Sequence, residues 1–319
     1  MVESSYKIAI GLPVYNGERF LAETIDCVLG QSFRDFELII SDNASTDATS
    51  EICQSYAARD SRIRYVRQET NLGAVPNFNH VFEISNSEYF KWAAVDDWFS
   101  HDYLERTVKI LDENPDVVWC HSRSSHIDAH GEPLEEPDSQ DVSYVDRGIG
   151  TPSQRFRAVL LGKYGCLDSY GLIRSAAIEK TPLYLPYYGP EKVFIAELAL
   201  QGQYEEIPDT LFLVRVLEDG SGTVETAAAQ SEFAVGSGGD SYFVRLNFLI
   251  AYAKAIYRTP IGFIEKVKSY SILLRWLLQI SKWPRIALRA IRRQGIGGGN
   301  VERIKKIESK QINLADGNS

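Results

Sequence analysis

Two adjacent aspartates, Asp96 and Asp97, directly follow the aromatic and apolar run Tyr89–Val95. Such a run predicts a buried strand, and open α/β sheets bind ligands where their strands end. Two neighbouring carboxylates repel each other unless a cation lies close to them. Hard divalent cations prefer oxygen ligands and often share them with substrate phosphates, so the pair is a candidate metal site. The alternative is a solvated turn that caps the helix after it.

Two further junctions between a predicted strand and a predicted helix carry polar residues. Asp42 ends its strand, where a carboxylate can accept hydrogen bonds from a base or a ribose. Ser45 and Asp47 are better interpreted as the turn and the cap of the next helix. At the third junction Gly73 permits close passage of the backbone near a ligand, while Asn71 either contacts that ligand or braces the turn.

Two common phosphate-binding patterns are missing from the sequence. It contains neither Gly-x-Gly-x-x-Gly after a strand nor Gly-x-x-x-x-Gly-Lys-Ser/Thr. A Rossmann dinucleotide site and a P-loop are therefore not expected.

The elements that must position these residues alternate along the first part of the chain. Predicted strands are Lys7–Leu12, Phe36–Ile40, Ile63–Val66, Tyr89–Val95 and Val117–His121, and predicted helices are Arg19–Leu29, Asp47–Arg59, Pro76–Ile84 and Asp102–Asp112. This alternation predicts an α/β fold with a mostly parallel sheet flanked by helices.

The pattern loosens after residue 122. Residues 129–152 predict a long loop, and later segments predict strands at Ser169–Ile173, Tyr204–Ile207 and Leu211–Val216 and helices at Ser153–Leu161 and Lys192–Leu200. A C-terminal helical appendage follows, with helices predicted at Tyr242–Tyr257, Ile261–Ser281 and Pro284–Arg293.

Charge is distributed very unevenly over the 319 residues. Residues 254–310 carry fourteen Lys and Arg against three Glu, a local balance of +11 in a chain whose net charge is −9, which leaves −20 elsewhere. The acidic part argues against nucleic acid as a partner, and the basic part favours an anionic surface. Scattered cysteines, no signal-like segment and no membrane-spanning apolar run predict a cytoplasmic protein.

Four stretches together resemble glycosyltransferase family 2, whose members have the type-A fold and use nucleotide sugars. They are Pro13–Gly17, Phe36–Asp47, Asn71–Gly73 and Asp96–Asp97, in an order and spacing that cover roughly residues 6–216. The resemblance implies a catalytic domain at 1–216, with a nucleotide-binding half at 1–122 and an acceptor half at 123–216. A linker at 217–241, a basic amphipathic helical region at 242–294 and a disordered tail at 295–319 would follow.

The resemblance also implies roles for individual residues on the donor side. Pro13, Tyr15 and Asp42 match positions that line the nucleotide base pocket, and Asn71 and Gly73 match donor-binding positions as well. Asp96 matches a position near the ribose and the diphosphate, where it also supports the metal. Asp97 matches the position that holds Mn²⁺ or Mg²⁺. The family pattern would place another aspartate at position 94, where this chain has Ala94.

On the acceptor side the resemblance implies a carboxylate base just before a helix. Aligning Leu198, Ala199 and Gly202 with the family places Glu191 there; the alternative is a first-turn acid favoured by the helix dipole. His121 and Arg123 are weaker candidates for contact with the acceptor.

Arg215 is a candidate for contact with the donor phosphates, with a structural ion pair as its alternative. Many relatives have a histidine two residues after this arginine, where this chain has Leu217. The role of that histidine is therefore unassigned here.

The segment 261–293 mixes large apolar residues with Lys and Arg, which is the composition of an interfacial helix. Three interpretations stay open: a membrane surface, a homodimer interface, and a helical hairpin packed on the catalytic domain. The first would place the protein at the inner face of the membrane.

The function implied by the resemblance is metal-dependent inverting glycosyl transfer. The donor would be a nucleoside-diphosphate sugar, with a UDP-sugar favoured. The acceptor would be a hydroxyl of a glycan or a polyprenyl-linked glycan, in polysaccharide or cell-surface glycan synthesis. A non-catalytic member that binds nucleotide sugar is one rival. A sugar-phosphate nucleotidyltransferase is another, but it should carry a Gly-rich basic loop after the first strand, where this chain has Pro13–Asn16.

Overall fold

In this computed structural model the described residues are 6–134, 148–162, 166–187, 189–217 and 244–278. Nearly all of the predicted linker 217–241, the predicted helix Pro284–Arg293 and the predicted tail 295–319 lie outside these ranges. Those three expectations stay predictions.

One eight-stranded sheet organises the described chain, in the order β3-β2-β1-β4-β7-β6-β8-β5. The strands are Ile8–Val14 (β1), Phe36–Asp42 (β2), Ile63–Arg67 (β3), Tyr89–Trp92 (β4), Trp98–Phe99 (β5), Val117–Ile127 (β6), Leu172–Arg174 (β7) and Gln203–Arg215 (β8). The strands β3, β2, β1 and β4 are parallel, as are β6 and β8, while β7 and β5 run antiparallel to their neighbours. The predicted α/β class with a mostly parallel sheet is confirmed.

Helices cover both faces of this sheet. They are Leu21–Leu29 (α1), Thr49–Ala57 (α2), Ala74–Glu83 (α3), Tyr103–Glu113 (α4), Pro152–Leu161 (α5), Ser175–Ile178 (α6), Glu191–Gln201 (α7), Val244–Arg258 (α8) and Phe263–Leu277 (α9). All residues of β1 and β2 are buried, because helices lie on both sides of these strands. This burial explains the continuous apolar runs from which the two strands were predicted.

Several strand predictions differ from the structure. Strand β4 ends at Trp92 rather than at Val95, β6 continues to Ile127 rather than ending at His121, and the short strand β5 was not predicted. The predicted strand Ser169–Ile173 begins as a short 3-10 helix, Cys166–Tyr170, and only then enters β7. The two strands predicted on either side of Pro208 form one strand, β8, because register shifts opposite Ser122–Ser124 of β6 absorb the interruption. A proline at a bulge removes no ladder hydrogen bond, so the strand continues past it.

Successive side chains of strand β4 point to opposite faces of the sheet and so enter two different hydrophobic clusters. Phe90 and Trp92 pack into the cluster on the α7 side, while Tyr89 packs into the cluster on the other face. Lys91 shares the face of Tyr89 and is completely buried. A buried lysine therefore lies only a few residues before the aspartate pair.

The C-terminal helices α8 and α9 pack on the α/β domain. Leu273 and Ile256 are buried in the hydrophobic cluster that also contains residues of α7. The ring centres of Trp276 in α9 and Tyr252 in α8 are 5.6 Å apart. Arg258 of α8 forms an ion pair with the buried Glu197 of α7. Of the three interpretations of this segment, a helical hairpin packed on the α/β domain is thus observed for these two helices. Within the described ranges, no helix combines the length and apolar character needed to cross a membrane.

Candidate active site

The carboxyl ends of β1, β2 and β4 lie side by side at one edge of the sheet. Val14 is paired with Asp42 in the β1–β2 ladder, and the Ala93 amide donates to the carbonyl oxygen of Gly11 at 2.9 Å. The chain that continues from Ala93 to Asp96 and Asp97 therefore starts beside β1. Residues far apart in sequence meet at this edge because the strands are parallel.

Asp42 is fully buried and held in one orientation by three partners. Its carboxylate accepts hydrogen bonds from the Ser45 amide and the Tyr65 hydroxyl, each at 2.8 Å. The Arg67 guanidinium lies 3.4 Å away. These contacts fix the carboxylate at the end of the strand; its predicted contact with a base stays a prediction.

The loop that follows β1 is tied to the loop that follows β2. The Asn16 amide donates to Ser45 Oγ at 2.9 Å, and the Asn16 side chain accepts from the Thr46 amide at 2.8 Å. Pro13 is buried inside β1, whereas the Tyr15 ring is 48% exposed. The rigid loops thus present one accessible aromatic ring next to the Asp42 strand end.

Asn71 and Gly73 form a turn that closes over the end of β2. Asn71 Oδ1 accepts from the Gly73 amide and from Asn43 Nδ2, both at 2.8 Å. Gly73 has a φ of 88°, a conformation that favours glycine. The bracing alternative for Asn71 is therefore observed, and its contact with a donor stays a prediction.

Asp96 and Asp97 occupy a site from which water is largely excluded. Asp97 is 7% exposed. Burial is the main reason that the pKa of Asp97 is raised to about 8, and repulsion from Asp96 adds to the shift. Burial also raises the pKa of Asp96. A cation beside the pair would reverse both effects, since an opposite charge favours the ionised carboxylates.

Lys91 is the buried cation nearest in sequence to this pair. Its ammonium group donates to the Tyr170 carbonyl oxygen and lies 4.8 to 5.1 Å from the ring centres of Phe99, Tyr103 and Phe212. Burial lowers the pKa of Lys91 to about 7, and the charge of Asp97 partly opposes this change. Sequence reasoning missed Lys91, although a lysine within an otherwise apolar strand was the available signal.

Arg215 ends β8 next to the aspartate pair. Its guanidinium donates to Glu23 Oε1 at 2.6 Å, to the Asp96 carbonyl oxygen at 3.3 Å and to the Ala129 carbonyl oxygen at 3.1 Å. It also lies over the Phe20 ring, 4.5 Å from its centre. The structural ion pair is therefore observed, and it holds the backbone of Asp96 in place; contact with donor phosphates stays a prediction.

Glu191 is the first residue of α7 and is half-buried. Burial is the first cause that raises the pKa of Tyr170, and the charges of Asp97, Asp96 and Glu191 raise it further. The partly buried Tyr170 side chain therefore lies within electrostatic range of all three carboxylates. Glu191 and the aspartate pair lie around a common neighbour, which sequence reasoning also missed.

His121 and Arg123 lie farther back on β6, paired with acids. His121 is buried, and its Nδ1 is 3.7 Å from Asp168 Oδ1. Arg123 Nε is 3.5 Å from Glu206 Oε1, a carboxyl group whose pKa is raised by burial. Both side chains therefore belong to a charged cluster, and their predicted contact with an acceptor stays a prediction.

The side chains of Asp96 and Asp97 offer carboxylate oxygens as ligands for a metal ion. In the part of the chain that the structure describes, no group of three or more His, Cys, Asp and Glu side chains could hold one. Two buried, mutually repelling carboxylates nevertheless fit Mg²⁺ or Mn²⁺, which are commonly bound by one or two carboxylates together with substrate phosphates. The pair therefore fits a metal that a diphosphate helps to bind.

Comparison with known proteins places this site in a family context. Residues 9–180, more than half of the chain, match the model of the family described as Glycosyl transferase family 2. The putative glycosyltransferase EpsH of Bacillus subtilis is 26% identical over 210 residues, which is 65% of this chain and 55% of EpsH. In two further relatives the match covers 41% of one protein and 16% of the other. It thus spans about half or less of the length of these relatives.

Solved structures show the same fold at low sequence identity. S. aureus TarS 1–349 in complex with UDP-GlcNAc superposes with a TM-score of 0.61 at 16% identity, covering 85% of this chain and 71% of TarS 1–349. The mannosyltransferase PcManGT from Pyrobaculum calidifontis, in complex with GDP-Man and Mn²⁺, has a TM-score of 0.55 at 14% identity and covers 92% and 89%.

Proposed function

The chain belongs to glycosyltransferase family 2, and from this premise we propose that it transfers a sugar from a nucleoside-diphosphate donor to a hydroxyl of a glycan or lipid-linked glycan. We further propose that residues 1–216 are the catalytic domain and that the product is a polysaccharide or another cell-surface glycan. One observation carries the proposal: a fixed carboxylate, Asp42, and a buried carboxylate pair lie at the same edge of a parallel sheet. An open sheet of this kind binds ligands at that edge.

Asp42 and Tyr15 would bind the nucleotide end of the donor. The Asp42 carboxylate is fully buried and held by Ser45 and Tyr65 at the end of β2, so it would accept a hydrogen bond from a base N–H once the side chains that cover it move aside. The exposed Tyr15 ring can stack on the base, and Pro13 lies two residues before it, inside β1. A UDP-sugar is the favoured donor.

Asp97, with Asp96, would hold Mn²⁺ or Mg²⁺ together with the donor diphosphate. When bound, the ion supplies Lewis-acid stabilisation of the negative charge on the departing nucleoside diphosphate. With Ala94 in place of an outer aspartate, Asp97 provides most of the protein's share of the coordination. Arg215 keeps the Asp96 backbone in position through its bond to the carbonyl oxygen.

Glu191 would accept the proton of the acceptor hydroxyl as that oxygen attacks the anomeric carbon. The new glycosidic bond forms as the bond to the diphosphate breaks, so the configuration at that carbon inverts. Gly189, with a φ of 76°, lies two residues before Glu191, and a Cβ at Gly189 would lie 3.6 Å from Glu191 Oε1, so the absence of a side chain there leaves room beside the carboxylate. A general base must lie within hydrogen-bond reach of the proton that it removes.

Thermal stabilisation by a panel of UDP-, GDP-, dTDP- and CDP-sugars with Mn²⁺ tests donor binding directly. A ligand that binds only the folded state raises the melting temperature, and the stabilisation grows with the logarithm of the ligand concentration once that exceeds Kd. We expect one nucleotide class to stabilise the wild type but not the Asp97→Asn variant, with Asp102→Asn as a matched control on an exposed carboxylate. Stabilisation by none of the donors would contradict the proposal. Stabilisation without any release of nucleoside diphosphate would favour the non-catalytic rival.

A further inference from the structure

The outward side of the C-terminal hairpin carries an unpartnered apolar stripe. On α9 and its C-cap, six large side chains recur three or four residues apart, with exposed fractions from 39% for Tyr270 to 80% for Phe263. These residues, called the outer stripe below, are Phe263, Ile264, Val267, Tyr270, Leu274 and Leu278. Residues with this spacing lie on one face of a helix.

The outer stripe is not needed to attach the hairpin to the domain, because the opposite face of α9 already does so. Ser269 and Leu273 are buried, Trp276 packs on Tyr252, and Glu265 accepts a hydrogen bond from the Ser153 amide of α5 at 2.9 Å. The helix is therefore apolar on two sides, and the described residues leave the outer stripe exposed apart from the contact of Tyr270 with α8.

Helix α8 extends the same surface. Leu246, Ile250 and Tyr257 are exposed by 48%, 45% and 76% and recur at helical spacing. They lie opposite the residues that α8 buries, such as Ala255 and Ile256. Tyr270 of α9 donates to the Ala253 carbonyl oxygen of α8 at 3.1 Å, which locks the two helices together. The pair forms one apolar surface rather than two isolated patches.

Basic residues surround this surface, and acidic ones are nearly absent. Glu265 is the only acid on the two helices, and it bonds inward to Ser153 and to Lys268. Lys254, Lys266, Lys268 and Arg275 are basic positions on the same helices. The sequence that follows Leu278 continues with five Lys or Arg and no acid up to Arg293. The positive charge per residue of the sequence is therefore higher after Leu278 than within the two helices.

We propose that the outer stripe docks on an anionic lipid surface. On such a surface the large apolar side chains enter the acyl region, and the flanking Lys and Arg bind the anionic headgroups. A second copy of this chain is disfavoured as the occupant, because it would bring one basic surface against another. The charge balance of +11 over residues 254–310 within a chain of −9 makes this region the part that an anionic bilayer attracts.

Docking there would also bring the acceptor side of the protein to the bilayer. Arg258 of α8 is paired with Glu197 of α7, the helix that begins at Glu191. A lipid-linked acceptor would then reach Glu191 without leaving the membrane; this consequence alone rests on the proposed function. Docking itself does not depend on the reaction.

Co-sedimentation of the full chain with vesicles tests the proposal. The vesicles are phosphatidylcholine alone or phosphatidylcholine with phosphatidylglycerol. The stripe variant is Phe263→Gln/Val267→Gln/Leu274→Gln, because glutamine keeps helix propensity while removing apolar area. Ile149→Gln is the control for an exposed apolar residue away from the hairpin. We expect the wild type and the control to sediment with anionic vesicles and less with neutral ones, and added salt to weaken binding. The stripe variant should bind at least about tenfold more weakly.

Three results would overturn docking. They are no sedimentation of the wild type, equal sedimentation of the stripe variant, and equal binding to neutral and anionic vesicles. Light scattering gives a further arm: a wild-type dimer that the stripe variant converts to a monomer assigns the surface to a second copy instead. Donor stabilisation, measured on the same variants, should be unchanged. Failure of donor binding with intact vesicle binding would therefore reject only the proposed function.

Discussion

Replacing Asp97 by asparagine should make the metal-free protein more stable. The Asp97 carboxylate is buried beside Asp96, and its pKa is raised by burial from 3.8 to about 8. At pH 7 the folded state therefore holds this carboxyl mainly in its protonated form, whereas the unfolded state ionises it, and taking up the proton costs folding free energy. Asparagine keeps an oxygen that can accept the Arg215 backbone N–H, as the carboxyl does, but it does not titrate. The substitution removes the cost of taking up the proton and retains the hydrogen bond.

The magnitude follows from the shift. Each pH unit between 3.8 and 7 costs the folded state about 1.4 kcal/mol, so the full penalty at pH 7 is about 4 kcal/mol. The interior responds to a charge with a higher effective dielectric constant than dry protein, so we expect the variant to recover about 2 kcal/mol. For a protein of 319 residues, whose entropy of unfolding is about 0.7 kcal/mol/K, that gain raises the melting temperature by about 3 °C.

The pH dependence gives the sign an independent check. A carboxyl group with a raised pKa binds more protons in the folded state than in the unfolded state. The free energy of unfolding of the wild type therefore falls as pH rises from about 4 towards 8. The variant should lack this component. Measurements between pH 5 and 7 avoid most of the titration of Lys91, whose lowered pKa of about 7 acts above that range.

Denaturant unfolding in EDTA, followed by circular dichroism, measures the effect. Asp102→Asn is the matched control: Asp102 is exposed, and its hydrogen bond from Ser100 lowers the pKa of that carboxyl, so this variant should gain no stability. Mn²⁺ should then stabilise the wild type and not Asp97→Asn. A metal-free Asp97→Asn protein that is less stable than the wild type at pH 7 would refute the reasoning.

Two further substitutions test the positioning of the site. Gly73→Ala and Gly131→Ala place a Cβ at nearly the same φ, 88° and 86°, so each should lower the free energy of unfolding in urea by about 1 to 3 kcal/mol. Only Gly73→Ala should also weaken the thermal stabilisation by the donor. Equal weakening by both variants would contradict a role of the Asn71–Gly73 turn in donor binding. Glu265→Gln should lower stability by about 1 kcal/mol at pH 7, since the carboxylate caps α5 at Ser153. Hydrogen bonds from Lys268 and Ser153 lower the pKa of Glu265 to about 2, so the deficit should shrink as pH falls from about 4.5 to 2; a pH-independent deficit would contradict this assignment.

The part of the fold from β1 to α4 was predictable because its signals are local. Strands buried on both faces produce continuous apolar runs, and each parallel strand ends at the same edge, so Asp42 and Asp97 could be assigned to one site from the sequence. Strands β1 and β2 were predicted from their continuous apolar runs alone, and all of their residues are buried in the structure. Helix bounds differ from expectation by one or two residues, as is usual where helix ends fray.

The part of the chain after β6 and the supports of the site depend on contacts that no local pattern encodes. Arg215 pairs with Glu23, 192 residues away, so the sequence favoured a phosphate contact only slightly over the ion pair that the structure shows. The rings around Lys91 come from β5, α4 and β8. The composition of α9 predicted an interfacial helix or a packed hairpin, and the structure shows why both fit: one face packs inward, and the other carries the outer stripe.

Release of nucleoside diphosphate tests the central claim most directly. The wild type is incubated with Mn²⁺ and the UDP-, GDP-, dTDP- or CDP-sugar that stabilises it, and the nucleoside diphosphate is quantified for wild type, Asp97→Asn, Glu191→Gln and Asp102→Asn. We expect release by the wild type and by Asp102→Asn, and loss of both release and donor stabilisation in Asp97→Asn. Glu191→Gln should retain stabilisation but release at least about a hundredfold more slowly with an acceptor present. Unchanged release by Asp97→Asn and Glu191→Gln, or no release from any donor by the wild type, would contradict the account.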